Sequence, residues 1–578
     1  MSKSLFVNGI SCALLAYLNL TPAFASTSTA LTQANSNTAQ LAMNVLPSVT
    51  NAAAQLLYQG SFGPTSETLF SAQQVTRQEW VNTQMKLPPS WHYPLTAQYC
   101  GVSNTDIVNT PNKAVDNTKK DNPRACLKAQ ESVWLEHALT AKDQLRQRMA
   151  FALSQILVVS SEEPPLPRYG DGLAWYYDIL LKHSFGNYRD LLQDVTLSPA
   201  MGVYLSMQGN RKTNLKKNTF PDENYAREVM QLFSIGLYQL DMSGQAILDT
   251  QGHKIPSYQQ ADVENLARVF TGWDLVENKR YGHSRSGRYD KFMALTPKQH
   301  DYTAKTLFEQ PIAAGMKADK ELSLSLDLLF NHPNVGPFIS RQLIQRLVSS
   351  NPSPEYIKRV ATVFNDNGDG DRGDLGAVVQ AILLDDDAQG STTSPAFKLK
   401  EPLLNYIGFL RAFSATPKTE HYHLRQLNGT FGQGPMRANS VFNFYQPDFK
   451  PNFAPDDNSN YLVENSGVDE SANQQLTTVA PEAQIMVDPL IIKQLSLMFK
   501  QTMSNKANFN LDLSAPLALA DNSVDMLDYL DQLLLAGKMS PAFKVQLQSH
   551  LAKIKGQKRQ LKEAIYLIVS SADYAVQP

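Results

Sequence analysis

Pro221-Asp-Glu-Asn-Tyr-Ala-Arg-Glu-Val-Met-Gln-Leu-Phe-Ser-Ile-Gly236 decides how the chain is read. Tyr225, Val229, Leu232, Phe233 and Gly236 fall at i, i+4, i+7, i+8 and i+11, the spacing of one helix face. Pro221 suits the first helical position, and Asp222 with Glu223 places negative charge at the positive end of the helix dipole. Glu223 and Arg227 form an i,i+4 pair opposite the apolar arc, the geometry of a solvated stabiliser. Glu228 lies at the edge of that arc in a row with Asn224 and Gln231, and Asp222 projects toward it. A carboxylate at a core edge either meets a cation or has its pKa pushed up, which makes it useful as an acid. Glu228 and Asp222 are therefore the candidate catalytic residues, and a structural ion pair to an arginine is the competing reading.

The same period recurs outward from this helix. Residues 132–160 carry Leu145, Met149, Ala152, Leu153 and Ile156 as an apolar stripe, with Arg146 and Arg148 off it. Helices are expected over 172–183 and from 187, then at 321–330, 336–350, 356–364, 375–384 and 399–413, and again within 525–569. Thr65 or Ser66 caps an early helix, Ser257 with Gln260 spells a capping box, and Asp241-Met-Ser-Gly244 is a turn between short strands. Residues 281–301 are basic, Gly/Ser-rich and aromatic, as in a surface hairpin or binding loop. The expected fold is mainly α, a multi-helical array with a few short strands or hairpins and long loops.

The chain has 578 residues, of which 43% are hydrophobic and 18% charged, a globular composition. With a net charge of −2 and no Lys/Arg run, it offers no electrostatic case for nucleic acid. Lys3, a short apolar run over 10–20 and Ala23-Phe-Ala25 read as a signal peptide covering 1–25. That places the product outside the cytoplasm, periplasmic or extracellular, with no later stretch apolar enough to span a bilayer. A flexible leader of Ser, Thr, Ala, Asn and Gln follows over 26–44, and residues 45–578 read as a single large helical domain with a polar, mobile loop at 456–476. Cys100 and Cys126 are the two cysteines left after signal removal, and an exported chain favours their pairing around the polar loop 100–126. Such a bridge stabilises by roughly 3 kcal/mol on the chain-entropy account.

Gly368-Asp-Gly-Asp-Arg-Gly373 spells a dinucleotide fingerprint, but a helix precedes it and its acids would repel a pyrophosphate. The loop reads better as a calcium site, with oxygen ligands at Asn365, Asn367 and Asp369, Gly370 at the turn and Asp371 seventh. Gly376 stands where a bidentate Glu belongs, and Asp374 is the natural cap of the next helix, so a solvated turn is the alternative. The ten histidines contain no zinc spacing; His421 and His423 flank Tyr422 and share a side only in an extended segment. No G-x-S-x-G elbow occurs, since Gly282-His-Ser-Arg-Ser286 lacks the last glycine, and no cofactor motif appears.

Several long motifs stand in order: Gly60-Ser-Phe-Gly-Pro-Thr65, Arg148-Met-Ala-Phe-Ala-Leu-Ser-Gln155, Asp222-Glu-Asn-Tyr-Ala-Arg-Glu228, Phe270-Thr-Gly-Trp273, Arg372-Gly-Asp-Leu375, Lys400-Glu-Pro402 and Ser440-Val-Phe-Asn-Phe-Tyr445. Together they resemble the bacterial domain of unknown function numbered 1800, over essentially the whole mature chain. The resemblance implies an exported protein without an assigned activity, often encoded beside an exported sulfatase-like family. It transfers no catalytic residue. Two functions are expected from these readings: a cell-envelope or secreted binding or assembly module, whose partner is a surface polymer or that sulfatase-like neighbour, and alternatively a carboxylate-dependent extracellular hydrolase of polymers or (sulfate) esters.

Overall fold

The 221–236 stretch folds as a helix over Asn224–Gln231, shorter than its apolar spacing predicts. Asp222 sets the start: its carboxylate accepts the Asn224 amide at 2.9 Å, which leaves Pro221 outside the helix. Asp222 is accordingly exposed and does not project into the apolar arc. At the other end the Ile235 and Gly236 amides both reach back to the Met230 carbonyl, at 2.9 and 3.1 Å, with Gly236 at φ 70°. A left-handed residue there satisfies the last carbonyls of the helix, and a side chain would meet the Phe338 ring at 2.9 Å. Tyr225, Val229 and Phe233 are buried as expected, and the Glu223–Arg227 pair lies outside at 3.0 Å.

The computed structural model describes residues 47–100, 123–278, 281–282, 287–390, 398–424, 426–451 and 479–578. The signal peptide, the leader, most of loop 100–126 and loop 456–476 lie outside the described residues. The architecture is mainly helical, with two-stranded antiparallel ribbons at Trp273–Asp274 with Ala294–Leu295, Lys305–Leu307 with Gln310–Ile312, and Thr416–Pro417 with Phe509–Asn510. One connected set of buried apolar side chains runs from Ala53 to Tyr574, so the first and last described helices share a core. No described helix is long and apolar enough to cross a membrane.

At the centre, helix Gly170–Lys182 packs against His92–Tyr99, Pro123–Thr140 and Gln144–Ser154. The helical run expected over 132–160 breaks at residues 141–143. Asp143 turns its carboxylate to the Ser90 amide at 3.0 Å, and the Gln144 amide group donates to the carbonyls of His137 and Ala141. The second piece is buried on nearly every face. Arg148, off the stripe by spacing, is therefore inside, 1% exposed. Around this centre stand the antiparallel helices Val335–Leu347, Pro354–Asn365 and Leu375–Leu384, and a terminal group comprising Ser523–Leu535, Pro541–Leu551 and Gln557–Val569.

Predicted caps are largely in place. Thr65 accepts the Thr68 amide at 3.0 Å, and Asp374 accepts those of Gly376 and Ala377 at 2.8 and 3.1 Å. Ser257 differs: its hydroxyl donates to the Gly236 carbonyl, and helix Gln260–Val269 instead begins with the Gln259 amide on the Asp262 carboxylate at 2.8 Å. Residues 287–301 contain a hairpin strand, Ala294–Leu295, but part of the segment is not at the surface. Arg288 and Tyr289 are buried, and the Tyr289 ring stacks on Tyr169 at 3.9 Å.

After Gly236 the chain makes a small triangle of extended segments. The Gln239 amide donates to the Ile255 carbonyl, Ile247 to Gln239, and Ile255 to Ile247, at 2.8, 2.8 and 3.1 Å. The three residues are eight apart and close a cycle. Two of its corners repeat Leu-Asp-x-x-Gly, at Leu240–Gly244 and Leu248–Gly252. Asp241 accepts the amides of Ser243 and Gln245, and Asp249 those of Gln251 and His253, all at 2.8–3.0 Å.

Candidate functional site

A cleft of about 1010 Å³ opens between helix Pro123–Thr140 and the segment from Thr419 to Gly429. Residues four apart and three apart on that helix share a face, so Lys128, Glu131 and Ser132 reach the cleft together. Tyr99, the last residue of helix His92–Tyr99, closes one end. Next to it Cys100 and Cys126 stand at disulfide distance, with Cα atoms 4.7 Å apart, tying the two helices that carry this wall.

Glu131 is buried and bonded to Nε of Arg437, whose Nη1 also reaches Glu162 at 2.8 Å. Behind Glu131 the wall is apolar, with Trp134, Leu135 and Leu403. Burial on that side pushes its carboxyl above the usual range, against the pull of Arg437. Across the cleft both His421 and His423, on either side of Tyr422, line the opening. The His421 ring lies on Tyr99 at 4.0 Å between centroids, and its Nδ1 is buried without a hydrogen bond. Burial and the neighbouring Glu136, which accepts the Tyr99 phenol at 2.9 Å, push that phenol up to about 12. Ser132 donates its proton to the Tyr422 carbonyl, not to an imidazole, so it is not set up as an activated nucleophile. Lys128 and Arg437 balance Glu131 and Glu420, so the described residues of the lining have no net charge with its histidines neutral.

The residues singled out from the sequence lie elsewhere. Glu228 is half-buried, and among the described residues its Oε2 has no hydrogen-bond partner. Desolvation pushes its carboxyl up; the only opposing influence is the charge of Arg227, which itself pairs with Glu223. The charge of Glu228 bears on the phenols of Tyr204 and Tyr258, and among the described residues no arginine seals it. Asp222 sits exposed at the helix start, its backbone held by Asn210, and among the described residues no hydrogen bond or ion pair joins it to Glu228.

The 365–374 loop is closed by its own groups. Asn367 Oδ1 accepts the amides of Asp369 and Asp371 at 2.9 and 3.2 Å, and Asn365 Oδ1 accepts Arg372 Nη1. Asp369 and Asp371 themselves are exposed. Among the described residues, no group of three or more His, Cys, Asp or Glu stands where it could hold a metal ion.

The model of a family described as "Protein of unknown function (DUF1800)" matches residues 55–576. The chain belongs to the DUF1800 family. No curated protein and no solved structure matches it. In this DUF1800 chain the family match takes in both the Glu228 helix and the cleft, and it assigns neither a role. Sequence reading picked out the two cleft histidines but missed Glu131 and Arg437. These are 306 positions apart, and no local spacing could have joined them.

Proposed function

We propose that this DUF1800 chain is an exported binding module that takes a neutral, hydroxyl-rich surface polymer into the cleft beside Glu131, Arg437 and His421. The observation that carries this reading is the lining: carboxylate, guanidinium and amide groups for hydrogen bonds, a Tyr99–His421 ring pair for apolar sugar faces, and balanced charge. Export is supported by the signal-like N-terminus and by a cysteine pair at disulfide distance. The test is calorimetric titration of the mature protein with neutral and with acidic polysaccharides. Binding of a neutral polymer, weakened at least tenfold by Tyr99→Ala, supports the proposal; indifference to Tyr99→Ala, or binding of acidic polymers alone, overturns it.

A second reading is favoured by one observation, the unpaired Oε2 of Glu228. A carboxyl whose pKa is raised by desolvation and that meets no cation can serve as a general acid, which keeps the carboxylate-dependent hydrolase open at this position alone. One oxygen of Asp222 accepts the Asn224 amide, so a hydrolase pairing it with Glu228 would use its other oxygen. Activity on esters, sulfate esters or glycans that vanishes in Glu228→Gln would establish it. Activity unchanged in that variant would remove it.

A further inference from the structure

Deep in the core, away from the cleft, three cations and two carboxylates share one region. Arg148, Arg346, Lys398, Glu401 and Glu482 are each 0–1% exposed. Lys398 and Glu482 form a closed pair. They contact each other directly, Lys398 also donates to the Gln345 carbonyl at 2.8 Å, and Ser350 donates to Glu482 at 2.7 Å. The remaining charges are two guanidinium groups and one carboxylate.

Those three do not close. Oε2 of Glu401 accepts the amide groups of Gln155 and Gln433, at 2.6 and 2.9 Å, and makes no direct hydrogen bond to either arginine. Nη2 of Arg148 donates to the backbone carbonyl of Arg346, which brings the two arginines together. The Arg346 guanidinium lies over the Tyr445 ring at 4.8 Å. Among the described residues, Nη1 of Arg148, both Nε and Nη1 of Arg346, and Oε1 of Glu401 are buried with no hydrogen-bond partner. A guanidinium does not give up its proton in a protein, so among the described residues one positive charge is left over in a region without solvent. A buried charge without a counter-charge costs several kcal/mol. Water could satisfy the open N–H groups, but it would not cancel the charge.

We propose that Arg148 and Arg346 hold a buried monovalent anion of halide size, which completes the core of this protein. The anion accepts the open N–H groups and brings the region to neutrality. It is a structural ligand, bound when the chain folds, and its role is independent of the cleft.

Crystals of the mature protein, purified and grown in bromide, test this directly. A bromine anomalous peak within hydrogen-bond reach of both guanidinium groups supports the site, as does a chlorine peak there in long-wavelength data if native chloride has not exchanged. Water alone at that place, or a carboxylate of the chain itself, overturns it. In solution, melting temperature is read as chloride replaces gluconate at constant ionic strength. A saturable rise of a few degrees in the native protein that is absent in Arg346→Met is the expected result. Equal chloride dependence in both proteins overturns the site, because the rise would then come from elsewhere. Should Arg346→Met fail to fold, the anomalous map of the native protein decides alone.

Discussion

Two buried ionic groups in this protein were built from similar residues and ended differently. Around Glu321 every polar atom has a partner: one carboxylate oxygen meets Lys305 at 2.6 Å, the other His300 at 2.9 Å, and the second nitrogen of His300 lies 2.7 Å from the Thr271 carbonyl. Lys305 adds the carbonyls of Asp301 and Thr303. Around Arg148 and Arg346, three guanidinium nitrogens and one oxygen of Glu401 have no hydrogen-bond partner among the described residues. A closed network fixes one arrangement of the core and offers nothing to a ligand; an open one has valence to spare.

The sharpest way to break the contrast is Glu321→Ala. It strands Lys305 and His300 in the core and is expected to cost about 3–5 kcal/mol in urea unfolding. Arg346→Met, which removes a charge with no carboxylate of its own among the described residues, should cost clearly less when unfolding is read without chloride; an equal loss would mean that the open group is as interlocked as the closed one.

Asp178 stands between the two cases. It accepts the His92 and Tyr93 amides at 2.7 and 2.9 Å but faces no cation among the described residues, and burial holds its carboxyl up to about 7. A carboxyl raised on folding favours the protonated folded state, so its contribution is fully present below about pH 4 and is lost as pH rises through about 7. Melting curves from pH 4 to 8 should show that decline, and Asp178→Asn should flatten it.

At the surface the expected effects are small. Arg227→Ala removes an exposed pair and should change stability by about 0.2–0.5 kcal/mol in the same unfolding assay. Chelation should leave the melting temperature unchanged, since the 365–374 loop is closed by its own amides and Arg372. A fall in chelator would show that Asn365, Asn367, Asp369 and Asp371 do take calcium.

The fold class was legible because apolar residues at helical spacing need only local sequence, and Thr65, Asp374 and the Glu223–Arg227 pair behave as their neighbours dictate. What spacing could not show was burial from every side. Arg148 sits off its helix stripe and still lies inside, because the helices around Gln144–Ser154 surround it. Glu228 was found at the edge of its arc, as expected, whereas Asp222 was misdirected by assuming the helix began at Pro221. The cleft was hardly legible: Glu131 and Arg437 meet only through the tertiary fold, and the histidine pair came to notice only through its spacing. The eight-residue echo of Leu-Asp-x-x-Gly was visible in the sequence, but it is too brief to stand out from chance until the hydrogen-bond cycle joins its copies.

That cycle limits how this region can change. Because Gln239, Ile247 and Ile255 each give one amide and take one in return, the ring counts to three. A duplicated or deleted eight-residue unit would leave an unpaired donor and an open strand edge, the kind of edge that recruits other chains. Length variation in homologues and in engineered insertions should therefore collect at the tips, between Asp241 and Gly244 and between Asp249 and Gly252, where added residues lengthen a corner and leave the ring itself closed.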